Sequence, residues 1–158
     1  MIKVSKMADY AVVVLAALAR SDDALMTASG VSAKTGLPEP TVAKVLKLLS
    51  RGNFLDSVRG ATGGYKLAMP PGKISVAKII TAVDGPISLT SCVDDTDQSC
   101  GYGNRCAVKG RWNGVNYAVR EALENVTLAD MLTNWRHPRE GGGPDARLRG
   151  HDEIGGLS

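Results

Sequence analysis

Apolar residues in the first fifty positions recur at intervals of three and four, the spacing of helices with one buried face. The pattern predicts a first helix over residues 5–20, a short second helix over 27–34 and a third over 39–51. Gly36 and Pro38 separate the last two, and two helices joined by a short turn containing Gly are typical of a helix-turn-helix. The positions predicted to face inward on the first helix are Tyr10, Val13, Val14, Ala17 and Leu18.

The pattern after the third helix changes and predicts a β-hairpin, with strands at residues 54–58 and 65–68. A hairpin directly after a helix-turn-helix is the wing of a winged helix-turn-helix. Arg59 and Gly60 lie in its glycine-rich turn, where glycine permits close approach of the backbone. An arginine at this place has two interpretations: its side chain enters a DNA minor groove, or it is solvated in a plain glycine turn. A fourth helix is predicted from Ser75 to about Val83.

Basic residues are concentrated in the first part of the chain. Residues 1–90 hold 11 Lys and Arg against 6 Asp and Glu, whereas residues 91–158 hold 8 against 10. Such a balance indicates either a polyanionic partner or a solvated basic surface. If the partner is double-stranded DNA, the candidate contact residues on the third helix and in the wing are Thr41, Lys44, Lys47, Arg59 and Gly60.

Residues 108–126 carry apolar side chains at alternating steps of four and three, the pattern of a coiled-coil seam. It predicts a long helix that either pairs with a second copy in a homodimer or packs on its own domain. The candidate dimerisation residues are Val108, Trp112, Val115, Val119 and Val126. A short helix is predicted from Thr127 through Trp135, and the glycine-rich composition of residues 137–158 predicts a disordered tail.

Three cysteines, Cys92, Cys100 and Cys106, fall within fifteen residues that contain few large aliphatic side chains. An odd number of cysteines argues against a secreted disulfide scaffold and favours a cytoplasmic protein. Their spacing lacks the close pairs typical of structural zinc sites. The remaining interpretations are an iron–sulfur cluster, whose ligand spacing is irregular, and redox-active or incidental thiols. Both histidines, His137 and His151, lie beyond the long helix.

The expected fold is therefore mainly α with a small β-wing, a winged helix-turn-helix followed by a long dimerisation helix. The expected division is a DNA-binding domain over residues 1–87, a cysteine segment over 88–107, the two C-terminal helices over 108–136 and the tail. No apolar run reaches the ~20 residues of a spanning helix, so we expect no membrane association. The N-terminus resembles a secretory signal, but Asp9 abuts its apolar stretch, and we interpret it as the first helix.

Five stretches in this order resemble the IscR-like family of iron–sulfur-dependent transcription regulators, and most closely the subgroup that regulates SUF-type cluster assembly. They are residues 5–15, 57–67 in the wing, 79–86, the three-cysteine segment and 126–130. The resemblance covers about residues 1–135. It implies a homodimeric DNA-binding regulator, not an enzyme and without a small-molecule substrate, in which each long helix crosses its partner.

The resemblance also implies that Cys92, Cys100 and Cys106 ligate an iron–sulfur cluster, with [2Fe-2S] favoured and [4Fe-4S] possible. The gap between the first two cysteines is seven residues here, where the IscR branch has five. That branch has a histidine ligand at the position occupied here by Lys109. A related nitric-oxide sensor supplies an aspartate of the partner subunit at the position of Asp9. Rival ligands are Asp94, Asp95 and Asp97, and Asp9 also suits a helix N-terminus.

Without a cluster, the same fold would be expected to use its thiols as a redox or metabolite switch. An iron–sulfur carrier or redox protein is the alternative from a different class, but it gives no reason for a wing that carries Arg59. The operator, the target genes and the sign of regulation are not encoded in any motif of the sequence.

Overall fold

The computed structural model of the chain describes residues 3–93, 101 and 105–133. Within these ranges eight main elements follow one another, with a short 3₁₀ helix, Pro71–Lys73, after the hairpin. They are α1 (Lys6–Ala19), α2 (Ala28–Thr35), α3 (Glu39–Arg51), β1 (Leu55–Val58), β2 (Gly64–Leu67), α4 (Val76–Asp84), α5 (Trp112–Glu124) and α6 (Leu128–Leu132). The mainly helical fold with a small antiparallel wing is confirmed. None of the helices in the described ranges is long and apolar enough to cross a membrane.

Short polar side chains determine where several helices begin. The hydroxyl oxygens of Ser5, Thr27 and Ser75 accept hydrogen bonds from backbone N–H groups at the starts of α1, α2 and α4. These bonds satisfy donors that have no partner within the helix. Gly36 ends α2 in the left-handed conformation, with φ of 78°. The local signals in the sequence therefore predict these boundaries to within a residue or two.

The core lies where α1, α3 and α4 meet, with α2 and the wing against its sides. Its fully buried aliphatic side chains are Val14, Leu15, Val31, Val42, Val45, Leu46, Leu49, Ile74, Ile79 and Leu128. The predicted inward face of α1 is only partly correct, because Tyr10 and Val13 are half-buried while Ala11 and Leu15 are fully buried. The buried face of α1 is wider than one stripe because this helix contacts α2, α3, α4, α6 and β2.

The predicted helix over residues 108–126 is wrong in its bounds, since α5 spans only Trp112–Glu124. Residues 106–111 form turns in which the Lys109 and Arg111 N–H groups donate to the carbonyls of Cys106 and Val108, and Gly110 has φ of 76°. Val108 therefore precedes the helix. Val126 follows it, because its carbonyl accepts the N–H of Val76 at 2.8 Å. The heptad pattern extends beyond the helix because backbone pairing with α4 competes at one end.

The chain returns to the N-terminal core after α5. Thr127 pairs with Ser75 in an antiparallel bridge, and the Leu128 N–H donates to the Ile74 carbonyl at 2.7 Å. Thr127 and Asp130 form a complete capping box at the start of α6, as the sequence predicts. Leu128 is fully buried in the core cluster, and α6 contacts α1 and the 3₁₀ helix. The core of the N-terminal part is therefore completed by a residue beyond the long helix.

Candidate nucleic-acid interface and cysteine segment

The wing is a two-stranded hairpin whose shape depends on its glycines. Leu55 pairs with Leu67 and Val58 with Gly64. Between the strands, the Gly63 N–H donates to the Gly60 carbonyl at 3.0 Å, and Gly60 has φ of 112°. A Cβ at Gly63 would lie 2.2 Å from the Val58 carbonyl oxygen, so only glycine fits there. This tight turn places Arg59 at the exposed end of β1.

Met26, the residue before the N-cap of α2, adds a third backbone segment beside the two strands of the wing. The N–H and carbonyl of Met26 exchange hydrogen bonds of 2.9 and 2.8 Å with Tyr65 of β2. Gly64 packs so closely that a Cβ there would lie 2.8 Å from the Met26 backbone. Pairing between Met26 and Tyr65 therefore fixes Thr27, the N-cap of α2, directly beside the wing.

A cleft of about 710 Å³ lies between α3, the start of α2 and the wing. Its charged lining residues are Lys47, Arg51 and Arg59, and its described lining includes no carboxylate. Backbone at Gly60, Gly63 and Gly64 forms its wing side. A cationic cleft with one exposed helix and a hairpin at its edge suits a polyanion whose phosphates lie beside both elements.

The structure brings together three of the five predicted DNA-contact residues, Lys47, Arg59 and Gly60. Thr41 is half-buried and Lys44 exposed on α3, and neither lines the cleft.

The lining residues that were not predicted from the sequence include Arg51 and Thr27. Arg51 is four residues after Lys47 and so lies on the same helix face, a signal that the spacing contains. Thr27 reaches the cleft through the Met26–Tyr65 pairing, which no local pattern indicates.

Two of the three cysteines are described, and both are half-buried free thiols. Cys92 lies in a turn after the 87–89 segment, and its Sγ is 3.1 Å from the Thr90 hydroxyl oxygen. Cys106 lies six residues before α5, and its carbonyl accepts the Lys109 N–H at 3.3 Å. Cys100, with the rival ligands Asp94, Asp95 and Asp97, lies outside the described residues, as does the predicted tail.

The chemistry of this donor set fits iron, since two soft thiol donors are partly accessible and free of disulfides. Within the described ranges no group of three His, Cys, Asp or Glu side chains converges. Asp9 is exposed in the first turn of α1. Its carboxylate is accessible there, and it also occupies the ordinary place of an acidic residue at a helix N-terminus.

Helix α5 buries one polar residue and exposes several apolar ones. Asn116 is 8% exposed, and its amide bonds the backbone of residues 87–89 twice. Among the predicted dimerisation residues, Trp112 is 41% and Val115 47% exposed on the helix. Val108 is also exposed, whereas Val119 and Val126 are half-buried. Part of the predicted seam is thus unburied within one chain.

A helix-turn-helix, a glycine-dependent wing and a cationic cleft between them define a winged-helix DNA-binding protein. The chain belongs to the Rrf2 family, described as iron-dependent transcriptional regulators, whose family model matches residues 4–134. It is similar to the HTH-type transcriptional regulator IscR of Yersinia pseudotuberculosis, with 30% identity over 126 residues, which cover 79% of this chain and 76% of the relative. The similar proteins are regulators and not enzymes.

Two solved structures support the same assignment. CymR of B. subtilis, titled the global cysteine regulator, matches with a TM-score of 0.64 and 26% identity, over 84% of this chain and 97% of that one. IscR of T. potens matches with a TM-score of 0.63 and 26% identity, over 93% and 96% of the two chains. The resemblance to IscR-like regulators is therefore confirmed at the level of the Rrf2 family.

Proposed function

We propose that this chain is a cytoplasmic homodimeric transcription regulator that binds operator DNA and responds to its own iron–sulfur cluster. The DNA-binding part rests on the cationic cleft between α3 and the wing. In a dimer, two such clefts would meet half-sites about 34–36 Å apart, or a multiple of that distance. Thr41 and Lys44 would contact the DNA from the exposed side of α3, and Lys47, Arg51 and Arg59 from within the cleft.

The dimer would form through α5, whose exposed Trp112 and Val115 are the main unburied apolar positions of the predicted seam. Burying them against a second copy removes apolar surface from water, and Val119 extends the contact along the helix. Val108 and Val126 would contribute from the turns that flank the helix.

The observation that carries the cluster proposal is the pair of half-buried free thiols, Cys92 and Cys106, on either side of the segment that contains Cys100. These three residues would hold the cluster, for which we favour [2Fe-2S] over [4Fe-4S]. When bound, it would supply iron–thiolate bonds that are sensitive to oxygen and nitric oxide. The cysteine segment would be ordered by ligation, and its attachment to α5 would transmit that order to the dimer.

Anaerobic purification of the full chain tests this proposal directly. We expect a coloured protein with visible absorbance and equal amounts of iron and acid-labile sulfide. Alanine at Cys92, Cys100 or Cys106, each alone, should abolish the absorbance. A colourless wild type that takes up no iron or sulfide on reconstitution would contradict the cluster proposal and leave the DNA-binding proposal intact.

Asp9 would be the fourth ligand, supplied by the partner subunit. A carboxylate is a harder donor than a thiolate and would make the most labile bond of the site. Asp9→Ala should leave the cluster assembled, change its spectrum and speed its loss in air. Glu39→Ala, at an exposed acidic residue in the first turn of α3, is the matched control. If Asp9→Ala matches the wild type while a substitution at Asp94, Asp95 or Asp97 does not, the ligand lies in the cysteine segment.

The target genes would be those for SUF-type iron–sulfur cluster assembly, as the resemblance to that subgroup implies. Mapping where the protein binds on its own genome tests this target. Enrichment upstream of SUF genes supports it, and enrichment elsewhere without those sites contradicts it.

A thiol switch without a cluster is the second candidate, favoured by the two free, half-exposed thiols and by the similarity to CymR. It predicts a colourless protein whose DNA affinity changes on mild oxidation. Mass analysis under non-reducing conditions would then reveal a disulfide or a modified cysteine.

A further inference from the structure

Asn116 is the one buried residue of α5, a helix whose other described side chains are exposed or half-buried. Its Oδ1 accepts the N–H of Leu89 at 3.0 Å, and its Nδ2 donates to the carbonyl of Ile87 at 3.0 Å. A buried amide is unfavourable unless it is hydrogen-bonded, and here both of its groups are satisfied by one short backbone segment. These two bonds hold residues 87–89 in one register on α5.

That segment leads directly into the first cysteine. Cys92 follows Leu89 by three residues, a length that spans at most about 11 Å of extended chain. Cys92 itself lies in the turn of residues 90–93, in which the Val93 N–H donates to the Thr90 carbonyl at 3.1 Å. The position of Cys92 relative to α5 is therefore set by the pair of bonds that Asn116 makes.

The other end of the cysteine segment is attached to the same helix by covalent continuity. Cys106 precedes Trp112 through a series of hydrogen-bonded turns. Asn116 lies four residues into α5, about 6 Å along its axis from Trp112. Both ends of the segment are thus fixed near the start of α5. Fixing both ends removes part of the entropy that the chain would otherwise lose when its cysteines converge.

We propose that Asn116 is a positioning residue that holds Cys92 in place for ligation, through its paired hydrogen bonds to Leu89 and Ile87. This positioning role rests on the proposed cluster function. The hydrogen bonds that support it are those of the protein without a cluster. It assigns a role in the cysteine site to a residue that does not itself bind iron. It also connects the site physically to α5, the helix proposed to form the dimer.

Asn116→Ala removes both bonds, and Asn113→Ala makes the same change at an exposed position one turn earlier. In the apo protein, hydrogen exchange at Leu89 should speed up about tenfold or more in Asn116→Ala, because the only described partner of that amide is gone. Alkylation of Cys92 should accelerate, while that of Cys106 stays unchanged. Asn113→Ala should match the wild type in both measurements.

In the reconstituted protein, Asn116→Ala should alter the visible circular dichroism of the cluster and shorten its lifetime in air about tenfold. Hydrogen exchange in α3 and the oligomeric state are recorded beside it. Unchanged values for both establish that the fold and the dimer are intact.

The proposal is overturned if Leu89 exchange and Cys92 alkylation in Asn116→Ala equal those of the wild type. Faster alkylation of both cysteines together with faster exchange in α3 would also overturn it, because that is general destabilisation. If the wild type binds no cluster, the cluster function fails. The exchange and alkylation data then still decide whether Asn116 positions Cys92.

Discussion

Gly60 and Gly63 serve the wing turn for different physical reasons. Gly60 adopts φ of 112°, a conformation that residues with a Cβ rarely adopt, but it has open space around it. Gly63 is required by contact, since a Cβ would lie 2.2 Å from the Val58 carbonyl oxygen. The sequence indicates a glycine turn here, but only the folded backbone distinguishes conformational need from steric need.

Gly63→Ala should disrupt the wing, because a backbone oxygen cannot move away as a flexible side chain can. We expect a loss of about 1–3 kcal/mol in the free energy of unfolding, the range of local backbone strain. DNA binding should weaken in parallel. Urea denaturation followed by far-ultraviolet circular dichroism measures the first effect, and fluorescence anisotropy with labelled DNA measures the second.

Gly72→Ala is the control for this change, since nothing lies within 4 Å of the added Cβ and its φ is not in the left-handed region. Its unfolding free energy should stay within about 0.5 kcal/mol of the wild type. Equal effects at Gly63 and Gly72 would contradict the steric argument.

Arg59 is the exposed cation at the end of β1, at the edge of the cleft. Arg59→Ala should weaken DNA binding by about 1–3 kcal/mol if the side chain enters a groove. It should also lower the slope of log affinity against log salt by about 0.9 if the side chain contacts a phosphate. Titrations at several salt concentrations separate these two roles.

Arg20→Ala removes an equal charge from the exposed C-terminal end of α1, outside the cleft lining. It should change neither the affinity at fixed salt nor the salt slope by a comparable amount. If Arg59→Ala changes DNA affinity and salt slope no more than Arg20→Ala does, the wing is a structural hairpin only.

Among the described elements, α6 is the shortest α-helix, and it completes the core. Its capping box and amphipathic start are visible in the sequence, so its existence is predictable. The place where α6 packs is not predictable from the sequence, because the antiparallel pairing of Thr127 with Ser75 joins residues 52 positions apart. Local patterns predict that Leu128 faces inward, and only the tertiary fold determines that α6 packs against α1 and the 3₁₀ helix.

Leu128→Ala should remove about 2–5 kcal/mol from the free energy of unfolding, because it leaves a cavity in a fully buried site. Met131→Ala, on the same helix but 52% exposed, should cost less than about 0.5 kcal/mol. Thermal and urea unfolding of both variants provides the comparison. A small effect at Leu128 would mean that α6 docks without supporting the core.

The ends of α5 illustrate the limit of periodicity. The heptad spacing continues from Val108 to Val126, but the helix stops short at both ends. At Val126 a backbone hydrogen bond to α4 takes the carbonyl out of the helix, and at Gly110 a positive φ prevents an earlier start. Periodicity reports which side chains share a face, whereas hydrogen-bond competition decides where a helix ends.

For the whole molecule, the central feature is the exposed apolar face of α5 beside a complete N-terminal core. The sequence predicts the fold class, the wing and most cations of the cleft, because each depends on signals within a few residues. It misses the part of the site formed by Thr27 and Asn116, because both reach their places through pairing between distant segments. Cys100 stays a prediction, since it lies outside the described residues.

Val115→Glu should convert the proposed dimer to a monomer, because it places a charge in the apolar contact and leaves it unpaired. The dissociation constant should rise by two orders of magnitude or more, corresponding to about 3 kcal/mol or above. Asn113→Glu adds the same charge at an exposed polar position and should leave the dimer intact. Sedimentation equilibrium measures both, and a dimeric Val115→Glu variant would place the interface elsewhere.

The burial of Leu128 has a consequence for how the protein is made. During synthesis the core residues up to Ile79 leave the ribosome first, and Leu128 follows 49 residues later. At about 5–20 residues per second, that interval is about 2–10 s. Throughout this time the nascent N-terminal part lacks one of its core side chains, and the cysteine segment emerges before Leu128 does. Final consolidation of the DNA-binding half therefore follows the appearance of all three thiols.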